Sequence, residues 1–113
     1  MRIRILCIGK LKERFYKDAC AEFCKRLSRY AELEIVELPD EKAPEQLSEA
    51  QKAQVKAAEG GRMLSRIGEG EQVVALDIAG EQLSSPQLAA RMQGWLNSGK
   101  SRLCFLIGGS LGL

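Results

Sequence analysis

Four short apolar runs recur along this chain, and every gap between them carries a helical period, an alternation that constrains the fold more than any other feature. Arg2 to Gly9 reads as a strand: Ile3, Ile5, Leu6, Cys7 and Ile8 form a nearly continuous apolar run suited to burial on both faces, and Gly9 ends it. Leu33 to Leu38 is a second strand stopped by Pro39-Asp40, Gln72 to Ile78 a third turned by Gly80, and Arg102 to Ile107 a fourth. Tyr16, Cys20, Phe23, Leu27 and Tyr30 make one stripe of a helix over residues 12 to 29. After a loop from Glu41 to Leu47, Ser48 and Gln51 form a capping-box pair that opens a helix over residues 48 to 67, with Ala50, Ala53, Ala57, Gly60, Leu64 and Ile67 as its inward stripe. Ser84-Ser85-Pro86 starts a third helix over residues 86 to 98, with Leu88, Met92, Trp95 and Leu96 facing inward and Gly99 closing it. The order βαβαβαβ predicts a single α/β domain over residues 1–113, with a wholly parallel sheet, helices on its faces and right-handed crossovers.

The 113 residues are 45% hydrophobic, enough for one core and too much for a disordered chain, and no apolar run approaches the roughly 20 residues of a membrane span. The N-terminus lacks the pattern of a secretory signal, so the four cysteines are expected to be thiols in the cytoplasm. Histidine is absent, which excludes any mechanism needing an imidazole from this chain. Charge is uneven: nine basic residues face three acidic ones from Met1 to Tyr30, and five face ten from Ala31 to Glu71. The basic end is either a phosphate-attracting face or a solvated helix surface.

The glycine-rich end, Ile107-Gly108-Gly109-Ser110-Leu111-Gly112-Leu113, follows the last strand. Its glycines do not fit the spacing of a dinucleotide fingerprint. They do satisfy G-x-S-x-G, but a serine nucleophile needs a base, and no histidine exists to follow it. Two readings stay open: a loop that lets a flat or anionic ligand approach the backbone, and a plain tight turn. Cys20 and Cys24 share one helical side, yet without histidine or a Cys-x-x-Cys pair the four thiols read as buried or half-buried, and no metal is expected. Asp77, at a strand end, is either a chemical group or a carboxylate accepting N–H bonds from the Gly80 turn. Phe15, Tyr16 and Tyr30 are too few to make a base-stacking platform.

Several blocks carry more specific information: Ile8-Gly9-Lys10-Leu11-Lys12-Glu13, Tyr30, Pro39-Asp40-Glu41-Lys42-Ala43-Pro44-Glu45, Glu59-Gly60, Leu76-Asp77-Ile78-Ala79-Gly80, Leu83-Ser84-Ser85, and Phe105 through Leu113. Together they closely resemble the RlmH family, of the SPOUT class of S-adenosylmethionine-dependent methyltransferases. The resemblance runs from end to end. It implies a homodimeric α/β knotted enzyme that methylates N3 of a pseudouridine in large-subunit ribosomal RNA on the assembled ribosome. Matched residue by residue, Leu76 and Gly108 correspond to positions that contact the methyl donor. No residue is matched to the proton acceptor.

Members of that family continue beyond the position matching Leu113, through the segment that forms the knot and completes the donor site. The resemblance therefore implies a form shortened at its C-terminus, without the knot-forming segment, and expected to be inactive or nearly so as it stands. The basic helix would position RNA phosphates, which gives affinity without base identity. A non-catalytic remnant that binds RNA or a protein partner is the alternative.

Overall fold

The computed structural model describes residues 1–42 and 46–113. Its elements run β1 (Arg2–Ile8), α1 (Arg14–Leu27), β2 (Glu32–Leu38), α2 (Glu49–Leu64), β3 (Gln72–Leu76), α3 (Ser85–Asn97) and β4 (Arg102–Ile107). The four strands pair in parallel, as the alternation of elements predicts, and their order in the sheet is β2-β1-β4-β3. Of the expected loop from Glu41 to Leu47, Ala43, Pro44 and Glu45 lie outside the described residues.

Helix starts follow local chemistry. Ser48 Oγ accepts the Gln51 N–H at 3.1 Å while Gln51 Oε1 accepts the Ser48 N–H at 2.9 Å. Ser84 and Gln87 repeat this reciprocal pair at 3.2 and 2.8 Å, with Pro86 in the first turn. Each pair satisfies two backbone donors that a helix end would otherwise leave free. β3 ends at Leu76, two residues before the expected boundary, because the Gly80 N–H donates to the Asp77 carbonyl at 3.0 Å and closes a turn.

The central strands hold the core. Leu6, Leu103 and Cys104 are fully buried, and Leu6, Ile8, Cys104 and Leu106 form one face with Leu38 from β2 and Met63 from α2. Alternation along β1 and β4 directs Ile5, Cys7 and Phe105 to the other face. β3 is an edge strand and not a fully buried run: Val73 and Leu76 are exposed, since only β4 pairs with it.

Two expected stripes are corrected. On α2 the buried residues are Val55, Glu59 and Met63, whereas Ala53, Ala57 and Leu64 face solvent. Alanine favours helix without favouring burial strongly, so a stripe of alanines was a weak guide, and the glutamate within the true stripe disguised it. On α1 no residue is fully buried: Cys20 and Cys24 are half-buried, and Tyr16, Phe23, Leu27 and Tyr30 are exposed. On α3, Leu88, Met92 and Trp95 are half-buried as expected, while Leu96 is exposed.

An ion pair fastens the connection between α2 and β3 to the sheet. Arg4 Nη1 donates to Glu71 Oε1 at 2.8 Å and to the Arg66 carbonyl at 2.9 Å, and the Gly68 N–H also reaches Glu71 Oε1, at 2.7 Å.

Candidate functional site

In an open parallel sheet, ligands bind beyond the carboxyl ends of the strands. Here those ends form two neighbouring regions, one on each side of β4.

The first lies at β3 and β4. Leu76 is paired in register with Ile107, and Gly108 follows directly, so the sheet brings Leu76 and Gly108 to the same edge. Leu76 is 52% exposed, Ile107 40% and Ile78 97%, leaving an open apolar strip at the strand ends. The glycine-rich end forms a tight turn in which the Gly112 N–H donates to the Gly109 carbonyl at 2.9 Å. A Cβ at Gly108 would fall 2.7 Å from the Gly112 backbone, so that glycine is required by the turn itself, whatever approaches from outside. Gly112, at φ +84°, closes the turn in a conformation that favours glycine. Asp77 is exposed, and it is its backbone carbonyl, not its carboxylate, that accepts from the Gly80 turn.

The second region is a cavity of about 810 Å³ beyond β1 and β2, bounded by the Gly9 to Lys12 segment, Leu38 to Glu41, the α2 residues Val55 and Glu59, and Gly109 to Leu111. That size lies within the range of small-molecule sites, roughly 300–1,000 Å³. Gly9 ends β1 with φ +89° and gives its N–H to the Leu38 carbonyl at 2.8 Å, and Lys10, which follows it, lines the cavity. Arg62 anchors the opposite wall: its guanidinium donates to the Pro39 carbonyl at 3.0 Å and pairs with the Glu41 carboxylate. Glu59 is only 4% exposed, and its Oε2 accepts the Glu41 N–H at 3.0 Å. Neither Glu59 nor Lys10 carries a local pattern that assigns it a place in this cavity. The signal for Glu59 was its position four residues after Val55 and four before Met63, an acidic residue inside an apolar stripe.

Basic residues near the N-terminus are about half neutralised. Arg2, Arg4, Arg14 and Arg26 lie within 4 Å of Glu32, Glu71, Asp18 and Glu22. Among the described residues, Lys10, Lys12, Lys17, Lys25 and Arg29 have no such partner. Burial raises the thiol pKa of Cys7, of Cys24 and of Cys104; neighbouring Glu37 adds to the effect at Cys7, Cys20 at Cys24, and Glu71 at Cys104. Near neutral pH these three thiols keep their protons. No group of three or more histidine, cysteine or acidic residues suited to hold a metal occurs among the described residues. No helix among them is long and apolar enough to cross a membrane.

The chain is similar to known proteins along its whole length. The family model described as "Predicted SPOUT methyltransferase" matches residues 1–113. The protein named ribosomal RNA large subunit methyltransferase H from Ruminiclostridium cellulolyticum is 50% identical over all 113 residues, which span 71% of its length. Proteins of the same name from Bifidobacterium animalis subsp. lactis and Bacillus cytotoxicus are 52% and 53% identical, again over the whole of this chain and 71% of their own length.

Proposed function

Since the chain belongs to the SPOUT methyltransferase family, and within it to the ribosomal RNA large subunit methyltransferase H group, we propose that it transfers a methyl group from S-adenosylmethionine to N3 of a pseudouridine in large-subunit ribosomal RNA. The reading includes action on the ribosome in the cytoplasm, as a homodimer. The observation that carries it is the unbroken identity of about half the residues with methyltransferases across the whole chain, on a sheet whose strand ends are open for ligands.

The residues at the β3 and β4 ends suit the methyl donor. Leu76, Ile78 and Ile107 offer an exposed apolar strip fit for the flat face of an adenosyl group, and the turn from Gly108 brings backbone polar groups alongside it. When bound, S-adenosylmethionine supplies an electrophilic methyl carried on a sulfonium. The task left to the protein is to hold the acceptor nitrogen in line and to let its proton leave. Lys10, Lys12, Lys17, Lys25 and Arg29, without ion-pair partners among the described residues, would hold phosphates, which position RNA without reading its sequence.

The open outer side of that apolar strip makes donor binding by these 113 residues weak. A loss of about 3 kcal/mol relative to an enclosed site is more than a hundredfold in affinity. The test is transfer of tritium-labelled methyl to ribosomes lacking the modification, using this chain and a fusion that adds the remaining 29% of a relative's length. Label in large-subunit RNA with the fusion, and little with the chain alone, is expected. Absence of label with both would overturn the reading.

A second reading, a non-catalytic RNA- or partner-binding domain, draws on the exposed Phe15, Tyr16 and Phe23 of α1, which also carries Lys17 and Lys25. Calorimetry with S-adenosylmethionine separates the two, since only the first requires donor binding.

A further inference from the structure

The turn after β4 has two sides. Gly108 stands beside Leu76 on the side of β3, while Gly109 lies against the buried carboxylate of Glu59 on the side of β1 and α2. A Cβ at Gly109 would fall 2.8 Å from Glu59 Oε1, 3.2 Å from Oε2 and 3.2 Å from Ile8 Cγ2, so carboxylate and turn are packed in contact. Oε1 lies buried beneath this glycine and meets no hydrogen-bond donor among the described residues. Oε2 accepts the Glu41 N–H at 3.0 Å. Further along α2, Arg62 pairs with the Glu41 carboxylate and donates to the Pro39 carbonyl at 3.0 Å. One carboxylate thus joins α2 both to the segment after β2 and to the turn after β4.

An apolar side chain between Val55 and Met63 would fill this place at less cost, since a buried carboxylate with an unpaired oxygen is unfavourable. Departures of this kind from the stable choice gather at functional sites. The far end of the turn is held as well. Leu113 packs against the core cluster that includes Leu6, Ile8 and Met63, and a Cβ at Gly108 would meet its Cδ2 at 3.0 Å. Gly108 therefore keeps one place as long as Gly109 stays against Glu59.

We propose that Glu59 is a positioning residue for the methyl donor: by bracing Gly109 it fixes the backbone of Gly108 where that backbone borders Leu76. The inference rests on the methyltransferase reading above. Glu59 acts through the turn and touches no ligand, so it sets the affinity for the donor and leaves the transfer step alone.

The test joins kinetics in the fusion described above with amide exchange in this chain. Glu59→Ala removes both contacts, so the donor KM should rise at least about tenfold while kcat stays within about threefold. The Glu41 and Gly112 N–H groups, bonded to Glu59 Oε2 and to the Gly109 carbonyl, should exchange at least about tenfold faster. Glu59→Gln keeps an acceptor for Glu41 and the same bulk under Gly109, and should restore both readouts to within about twofold of the parent. Arg4→Met, which loosens the connection between α2 and β3 instead, should leave the donor KM unchanged. Where Glu59→Ala fails to fold, Gly109→Ala decides: its Cβ forces the turn off the carboxylate, and the same rise in KM is expected. A donor KM within about twofold of the parent in the folded variant overturns the proposal. So does unchanged exchange at Glu41 and Gly112, a glutamine variant no better than alanine, or an equal rise in KM with Arg4→Met. A parent fusion that transfers no methyl defeats the methyltransferase reading and this inference with it. An active parent whose KM ignores Glu59 defeats this inference alone.

Discussion

Helices α1 and α2 are of similar length, 14 and 16 residues, and each connects two parallel strands of the sheet, yet they meet it differently. α2 buries Val55, Glu59 and Met63, and Met63 joins the cluster of Leu6, Ile8, Leu38, Cys104 and Leu106. α1 buries no residue completely and leaves Phe15 63% and Phe23 61% exposed, with Arg26 stacked 6.0 Å over the Phe23 ring. By sequence α1 is the more amphipathic helix, with larger apolar side chains. Amphipathicity therefore records that a face must be covered, without saying that the partner lies within the same chain. The stability of this domain resides on the α2 face, and the surface free for other molecules lies on α1.

The largest test of that difference is Met63→Ala. Removing a nearly fully buried side chain from the α2 face should cost about 2–5 kcal/mol, read as a lowered midpoint in urea with an unchanged slope. A cost below about 1 kcal/mol would mean that α2 packs no better than α1.

A smaller effect is expected where α2 leads into β3. Arg4→Met leaves the Glu71 carboxylate, 6% exposed, with only the Gly68 N–H in place of a guanidinium. The loss should be about 2–3 kcal/mol, less than for a fully enclosed pair because Arg4 is itself 24% exposed. Amide exchange in residues 65–71 should accelerate more than in α1.

The thiols sharpen the comparison through pH. Burial holds the Cys104 pKa above the ordinary thiol value of about 8.5, so the folded state keeps its proton where the unfolded chain loses it. Its contribution is fully present below pH of about 8.5 and is lost as pH rises through the folded value, by at most about 1.4 kcal/mol per pH unit. Urea midpoints should thus be level near neutrality and fall in alkali, less steeply in Cys104→Ala. A thiol reagent should modify half-buried Cys24 in the native protein, and Cys104 only on unfolding.

The smallest effect belongs to α1. Phe23→Ser should change stability by no more than about 0.5 kcal/mol, as for a surface position. If it costs more than about 1 kcal/mol, the α1 face is covered in solution.

Much of the fold was legible in the chain because its signals are local. Serine followed three residues later by glutamine marks a helix start, at Ser48 and again at Ser84, since the pair satisfies backbone donors within one turn. Continuous runs such as Leu103 to Ile107 mark central strands, because only a strand covered on both faces takes apolar residues at every position. The positions proposed to face the donor rest on resemblance alone: nothing in the periodicity distinguishes Leu76 from its neighbours, and the register that places it beside Ile107 is a long-range fact.

The sequence by itself determined the succession of strands and helices, their caps, the parallel sense of the sheet and the methyltransferase family, because these follow from neighbouring residues or from matched blocks. Only the tertiary structure decided which face of each helix is covered and that Glu59 meets Gly109 across 50 positions of chain. The physical reason is that burial depends on what lies opposite. The 3.6-residue period fixes which side chains share a face, but the strand order β2-β1-β4-β3 fixes what that face meets, and the strand order is set by contacts between residues far apart in sequence.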